Sequence, residues 1–363
     1  MDIIQFLNSD VALLPKQRPA HQDFPDFLQE IFNAFISGLA SITGSDQLTT
    51  KVLSQIMFIQ DLSHTIEQMV RKYYSGLPHE SFQLLSDWIK QYSTQFDALY
   101  TIPIDPEYLC FYRIRTQDAG DFTRYQMFHI PFELRHKVTT QRYSIHGYPC
   151  LYAGSSLFIC WKELGCPPFD NIYSVRLEGQ KNIRVLDFGY TPRNLADVVK
   201  LQIRSGTNNQ RFLSVLLPKI LFWPLIAACS VQVLYPDSSF KPEYIVPQLL
   251  LQYVKEDKTK EIDGIRFFSI YYDQPKDSLR LGCNFVFPVK TQDSSGQCQY
   301  LKTLFKMTEV LSWQVAKHIQ MSECSGGASS EIIELVKGNK CAYINTIFGE
   351  MEAKGLGMPA AAL

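Results

Sequence analysis

Neither sign of charge prevails in this chain of 363 residues, which sets 35 Lys and Arg against 36 Asp and Glu. A broad electrostatic footprint for nucleic acid is therefore not expected. Long hydrophobic runs are also missing. The most membrane-like stretch, residues 215–234, is interrupted by Pro218, Lys219 and Pro224, and its longest uncharged run, 220–229, contains one of those prolines. That run is too short to span a bilayer and reads as buried core. The first six residues, MDIIQF, lack the basic n-region of a signal peptide. The nine cysteines include no Cys-x-x-Cys pair, so their spacing suggests no zinc site, and scattered free thiols fit a reducing cytoplasm. His129, His136 and His146 suggest no metal either, because separations of 7 and 10 match no helical ligand pair. There is no Gly-rich dinucleotide loop of the Rossmann kind and no internal repeat.

What remains is an ordinary globular chain, 46% hydrophobic and 20% charged. Its length suggests about two domains with ample core for each. Residues 1–102 read as a helical domain: 24–39 carries Phe27, Leu28, Ile31, Phe32, Phe35 and Ile36 at helical spacing, and 48–74 and 82–100 look alike. Gly44, Gly76 and Pro78 punctuate these helices, and 103–106 is a plausible linker. From 107 the texture turns to strands rich in aromatic and β-branched residues, at 108–115, 172–177, 183–188, 231–235, 265–272 and 284–287. Helices are expected between them at 194–203, near 211–228 and at 244–255. A helix near 301–319 makes 291–352 a helical extension, and the closing GLGMPAAAL puts 353–363 in a disordered tail. The fold class is α+β.

The densest chemistry lies in 141–164, QRYSIHGYPCLYAGSSLFICWKEL. Residues 150–153 are a short apolar run fitting a buried strand, and Gly154 lets the chain turn. Ser155 or Ser156 can cap the next helix, because a serine hydroxyl accepts an orphan N–H of the first turn. Gly165, Pro167 and Pro168 stop it. At about 100° per residue, Leu157, Phe158, Trp161 and Leu164 share the apolar face, while Ser156, Ile159, Cys160 and Glu163 share its neighbour. Glu163 is thus expected to be half-buried, with a cation or hydroxyl partner. The plain alternative is a helix-end carboxylate reaching back to solvent. Cys160 with His146 as base is a weaker candidate, since free cysteines on apolar helix faces are mostly packing. An arginine, hydroxyls and a carboxylate at one strand–helix junction suit a phosphate-bearing ribose, which points to a nucleotide-cleaving or nucleotide-transferring enzyme.

Several motifs then fall in order. Tyr112-Arg113 is an aromatic–Arg strand, and Arg142-Tyr143 is an Arg–aromatic pair. Gly147, Pro149, Tyr152 and Ser156 form G-x-P-x-x-Y-x-x-x-S, with Glu163 eleven residues past Tyr152. Later come Asp263-Gly264-Ile265-Arg266-Phe267-Phe268-Ser269 and the Asn-led segment from Asn284 to Pro288, the first of them preceded by the helix Tyr244-Ile245-Val246-Pro247-Gln248. Together these resemble the RES domain, named for an arginine, a glutamate and a serine, over 107–290.

The resemblance implies an ADP-ribosyltransferase-like mixed sheet with helices, preceded here by the all-helical domain. It implies a bacterial toxin that cleaves the nicotinamide–ribose bond of NAD, with NAD as substrate, phosphate or water as acceptor, and no bound cofactor. Glu163, Arg142 and Ser269 would be catalytic; Arg113, Tyr143, Tyr152, Ser156 and Asn284 would bind NAD. Glu163 would stabilise positive charge on the ribose, and the arginine forks would suit the pyrophosphate. Many members are restrained by an antitoxin, so a regulatory partner or a homo-oligomer is expected, without membrane or nucleic acid. Alone, Arg142 is equally a surface ion pair, Tyr152 core packing and Ser269 a satisfied hydroxyl; only their co-occurrence carries weight. The helical front and C-terminal extension depart from compact members. An ADP-ribosyltransferase acting on a macromolecule, or an inactive nucleotide-sensing module, remain the alternatives.

Overall fold

A computed structural model describes residues 1–101, 110–117, 120–180, 183–205, 210–257, 262–271, 281–291, 293–318, 331–336 and 339–363. The segment 103–106, expected as a linker, lies outside them, as do the ends of the expected strands at 108–109 and 272. The chain forms two compact units that interleave in sequence. A helical unit comprises Met1–Tyr100, Thr140–Ile145 and Tyr190–Glu256; a strand-rich unit comprises Thr101–Thr139, His146–Gly189 and Asp257–Leu363. The division read along the sequence, at 1–102, 107–290 and 291–352, is linear. The helices after 190 instead share a core with the first hundred residues.

In the helical unit the helix Phe24–Ala40 buries Phe24, Phe27, Leu28, Phe32, Phe35 and Leu39, a stripe of period near 3.6. The expected helix 48–74 is two, Gln47–Leu53 and Ile56–Tyr74. Asp46 caps the first by accepting from Thr49 N. Helix Trp223–Ser230 is buried at every position, as the apolar run at 220–229 requires. Trp223 stacks on Phe35 with ring centroids 3.9 Å apart, and its indole N–H donates to the Ala12 carbonyl at 2.8 Å. Among the described residues no single helix is long and apolar enough to cross a membrane; only the bent pair Leu213–Leu221 and Trp223–Ser230, at 59°, matches by length and composition. The strand expected at 231–235 does not form. Only Gln232 makes an isolated bridge, to Gln17, because no regular strand runs alongside it.

The chain leaves the helical unit at β1 (Tyr100–Thr101) and builds a mixed sheet. Its strands are β2 (Cys110–Thr116), β3 (Cys150–Gly154), β4 (Ile172–Gly179), β5 (Val185–Phe188), β6 (Gly264–Phe268), β7 (Cys283–Pro288), β8 (Phe305–Met307), β9 (Leu311–Ser312) and β12 (Ala361–Ala362); β10 (Ile332–Val336) and β11 (Asn339–Ala342) form a separate hairpin. From β5 the order is β5-β6-β7-β3-β2-β4-β8-β12, with β9 also beside β4. β5 and β6 are parallel, while β6–β7, β7–β3, β3–β2, β2–β4 and β4–β8 are antiparallel. Phe111, Phe285, Phe287 and Phe305 pack edge-to-face or stacked on one side of this sheet. On the other side Tyr112 and Ile114 meet Leu157, Phe158, Tyr343, Phe348 and Met351.

Gly264 opens β6 where backbone approaches backbone. A methyl there would lie 2.4 Å from the Val286 carbonyl oxygen and 2.6 Å from the Phe287 ring. Gly264→Ala is therefore expected to destabilise the strand-rich unit by about 1–3 kcal/mol through overpacking. An unchanged urea midpoint would show that the sheet has room to relax.

The C-terminal region differs from the helical extension and disordered tail expected at 291–352 and 353–363. The helix Gln299–Leu304 gives way to β8, where Phe305 and Met307 are buried and Lys306 is exposed, a period of two that pairs with β4. The helix Ile347–Leu356 runs into the expected tail, and β12 pairs with β8. Arg124 anchors this end by donating to the carbonyls of Met307 and Ala361 at 2.8 Å and Ala362 at 3.2 Å. The architecture is α+β, a mixed sheet with an N-terminal helical region.

Candidate functional site

The junction flagged in the sequence lies within the strand-rich unit. β3 ends at Gly154, where an added methyl would come within 2.6 Å of both the Cys160 sulfur and the Ile159 side chain. Glycine thus lets the next helix press against the strand. Ser156 is the N-cap of that helix, Leu157–Glu163. Its hydroxyl accepts from Ile159 N at 3.1 Å and donates to the Leu281 carbonyl at 2.8 Å. The hydroxyl is thus used once as donor and once as acceptor, and the residue is 0% exposed, so Ser156 holds the helix. Leu164 closes the helix and Gly165 follows at φ +77, the left-handed conformation that glycine adopts without steric cost.

Glu163 is the last residue of the helix, and it is exposed rather than half-buried. Burial follows position along this helix more than its faces, since Leu157, Phe158, Ile159 and Cys160 are buried while Glu163 and Leu164 at its end are exposed. Its carboxylate nevertheless has partners. Oε1 accepts from the Ser269 hydroxyl at 2.6 Å and from the Asn284 side-chain amide at 2.6 Å. Ser269, just past β6, is 2% exposed, and Asn284, in β7 opposite Gly154 and Phe267, is 7% exposed. The backbone N–H of Ser269 donates to the Gly282 carbonyl at 2.9 Å, which ties the β6 end to the β7 start. Two rigid strand ends thus deliver two buried donors to one exposed carboxylate. Such charge-assisted bonds fix its orientation while leaving it accessible.

Three of the eight candidates therefore converge: Glu163, Ser269 and Asn284. Arg113 and Tyr152 form another contact in the same unit. The Arg113 Nη1 donates to the Tyr152 carbonyl at 2.6 Å, its Nε is buried without a hydrogen bond, and burial beside Arg115 pulls its pKa down to about 9. It stays cationic at neutral pH. Burial drives the Tyr152 phenol well above its ordinary value, and β3 pairing places the residue opposite Val286. Arg142 and Tyr143 belong to the helical unit. Tyr143 is 2% exposed with its phenol against the Cys229 thiol. It packs in a core and offers no open ring face for nicotinamide. Arg142 donates to the Cys229 carbonyl at 3.0 Å and lies 5.4 Å from the Tyr244 ring centroid, a cation–π distance.

The weaker candidates find structural roles. Cys160 is buried, its thiol donates to the Tyr112 carbonyl, and burial pushes its pKa up to about 12. His129 is fully buried and held at both nitrogens: Nδ1 meets the Ile130 carbonyl at 2.8 Å, and Nε2 accepts from Cys298 N at 2.8 Å. Burial lowers its pKa to about 4. Among the described residues no group of three or more His, Cys, Asp or Glu side chains could hold a metal ion.

Two residues that sequence reasoning missed also reach the helix of Glu163. Glu352 accepts from Leu157 N at 2.6 Å, and the Tyr343 hydroxyl donates to Glu352. A signal was available, because Glu352 shares a helix face with Phe348 and Met351. A carboxylate on an apolar face needs partners.

Comparison with known proteins finds a relative in Bacillus subtilis (strain 168), named "Putative toxin YopC". It is 30% identical over 353 residues, spanning 95% of this chain and 78% of the relative. No family model matches the chain, and no solved structure matches it.

Proposed function

The chain belongs to the family of the putative toxin YopC, and from that premise we propose a toxin that cleaves the nicotinamide–ribose N-glycosidic bond of NAD in a RES-type site. One observation carries this reading. Ser269 and Asn284, each more than a hundred residues along the chain from Glu163, meet at a single oxygen of its carboxylate. Each occupies a position in a motif that resembles the RES domain.

The chemistry follows from the parts. Loss of cationic nicotinamide builds oxocarbenium character on the ribose. Glu163 supplies a negative charge to that centre and hydrogen-bond acceptors for the ribose hydroxyls. Ser269 and Asn284 keep it in place, so little reorganisation is needed as charge develops. The carboxylate sits at a helix end, where a sugar can approach it. Water or phosphate then takes the ribose carbon from which nicotinamide departs.

Purified protein incubated with NAD, with and without phosphate, tests the proposal by nicotinamide release. Release confined to phosphate-containing buffer identifies phosphorolysis; release in both identifies hydrolysis. Label from NAD retained on a macromolecule, without free ADP-ribose or its phosphate, would replace cleavage by transfer. No release and no transfer would sink the proposal.

A further inference from the structure

The first turn of an α-helix presents backbone N–H groups that lack intrahelical partners. In the helix Leu157–Glu163 local sequence supplies only part of the answer, through the Ser156 hydroxyl on Ile159 N. The rest comes from the other end of the chain. Leu157 N donates to Glu352 Oε1 at 2.6 Å across 195 positions. The Tyr343 hydroxyl donates to the same carboxyl group. Glu352 and Tyr343 are 6% and 0% exposed, within the cluster of Phe158, Phe348 and Met351.

We infer that Glu352, held by Tyr343, is a positioning residue that sets the axis of the Leu157–Glu163 helix and thereby the place of the Glu163 carboxylate. The helix spans seven residues, so a shift at its first residue is passed nearly whole to its last. Helices this short are marginal without tertiary support. Ser269 and Asn284 reach Glu163 at hydrogen-bond length, so a small displacement breaks both contacts. The functional half of this inference rests on the NAD-cleaving role proposed above; the structural half does not.

The test compares full-length wild type, Glu352→Gln and Glu352→Ala by two readouts, amide hydrogen exchange of peptides covering 157–164 and nicotinamide release from NAD. Gln keeps an oxygen acceptor for Leu157 N, whereas Ala removes it. Glu352→Ala is expected to speed exchange in 157–164 by about tenfold or more, with other peptides of the strand-rich unit unchanged. Turnover should fall by about 10- to 100-fold in kcat with KM little altered, and Glu352→Gln should recover both. Unchanged exchange in Glu352→Ala would overturn the inference, as would deprotection spread across the whole unit or failure of Gln to rescue. A wild type that releases no nicotinamide removes the proposed function, and the exchange arm then decides the clasp by itself.

Discussion

Glu163→Ala is expected to lower nicotinamide release from NAD on the order of 10³-fold, the scale on which a single preorganised charge-stabilising group acts. The fold should be untouched, because Glu163 is exposed and ends its helix. Ser269→Ala and Asn284→Ala should each cost less. A hydrogen bond to a charged group contributes about 1.5–3 kcal/mol, which corresponds to roughly 10- to 100-fold in rate. The stronger statement concerns coupling. Both donors act through the same oxygen, so their effects should nearly vanish once Glu163 is gone. In the Glu163→Ala background, Ser269→Ala is expected to change turnover by less than about threefold. If Ser269→Ala cost as much there as in wild type, Ser269 would touch substrate or acceptor on its own account, and the single-oxygen picture would be wrong.

The second large effect is on stability, and it comes from two buried groups of opposite sign. His129 has its pKa lowered to about 4 by burial, below its ordinary value of 6.5. The unfolded chain therefore binds the extra proton first. Stability from His129 is complete above pH 6.5 and lost as pH falls toward 4, on the order of 3 kcal/mol. Glu352 runs the other way. Burial raises it from 4.5 to about 8, against the lowering influence of Tyr343 and Leu157 N. Its contribution is complete below pH 4.5 and lost as pH rises through 8, by roughly 5 kcal/mol. Between pH 4.5 and 6.5 the two slopes oppose and cancel. From 6.5 to 8 Glu352 acts alone, and stability of the strand-rich unit should fall. Thermal midpoints for wild type and Glu352→Gln should therefore diverge over that interval, the variant staying flat. Parallel curves would mean that Glu352 is already ionised in the folded protein.

Local features were legible in the letters, and distant ones were not. The Ser156 cap, the helix it starts, the Gly165 stop and the apolar strand before them follow from turn chemistry and periodicity over a dozen residues. Ser269 and Asn284 stand out only through the order of the motifs; nothing in either local segment shows that both point at one carboxylate. Glu163 is exposed where helical spacing implies half-burial, because a helical wheel describes faces and is silent about ends. The helix expected at 301–319 failed for a different reason. Leu301, Leu304 and Phe305 sit at helical spacing and mask the alternation of Phe305, Lys306 and Met307, which pairs as a strand with the available edge of β4. Tyr143 shows the same limit, since an Arg–aromatic pair does not reveal whether its ring is core or surface. Interleaving of the two units could not be read at all, because composition marks texture along the chain and carries no record of which helices share a core.

The long reach between Leu157 and Glu352 also has a meaning in time. A ribosome makes the helix bearing Glu163, with its Ser156 cap, before it makes Glu352, and the gap is 195 positions. At about 5–20 residues per second that gap lasts roughly 10–40 s. During each round of synthesis the carboxylate-bearing helix has its local cap but waits through that interval for its Glu352 partner, so its maturation trails its own synthesis.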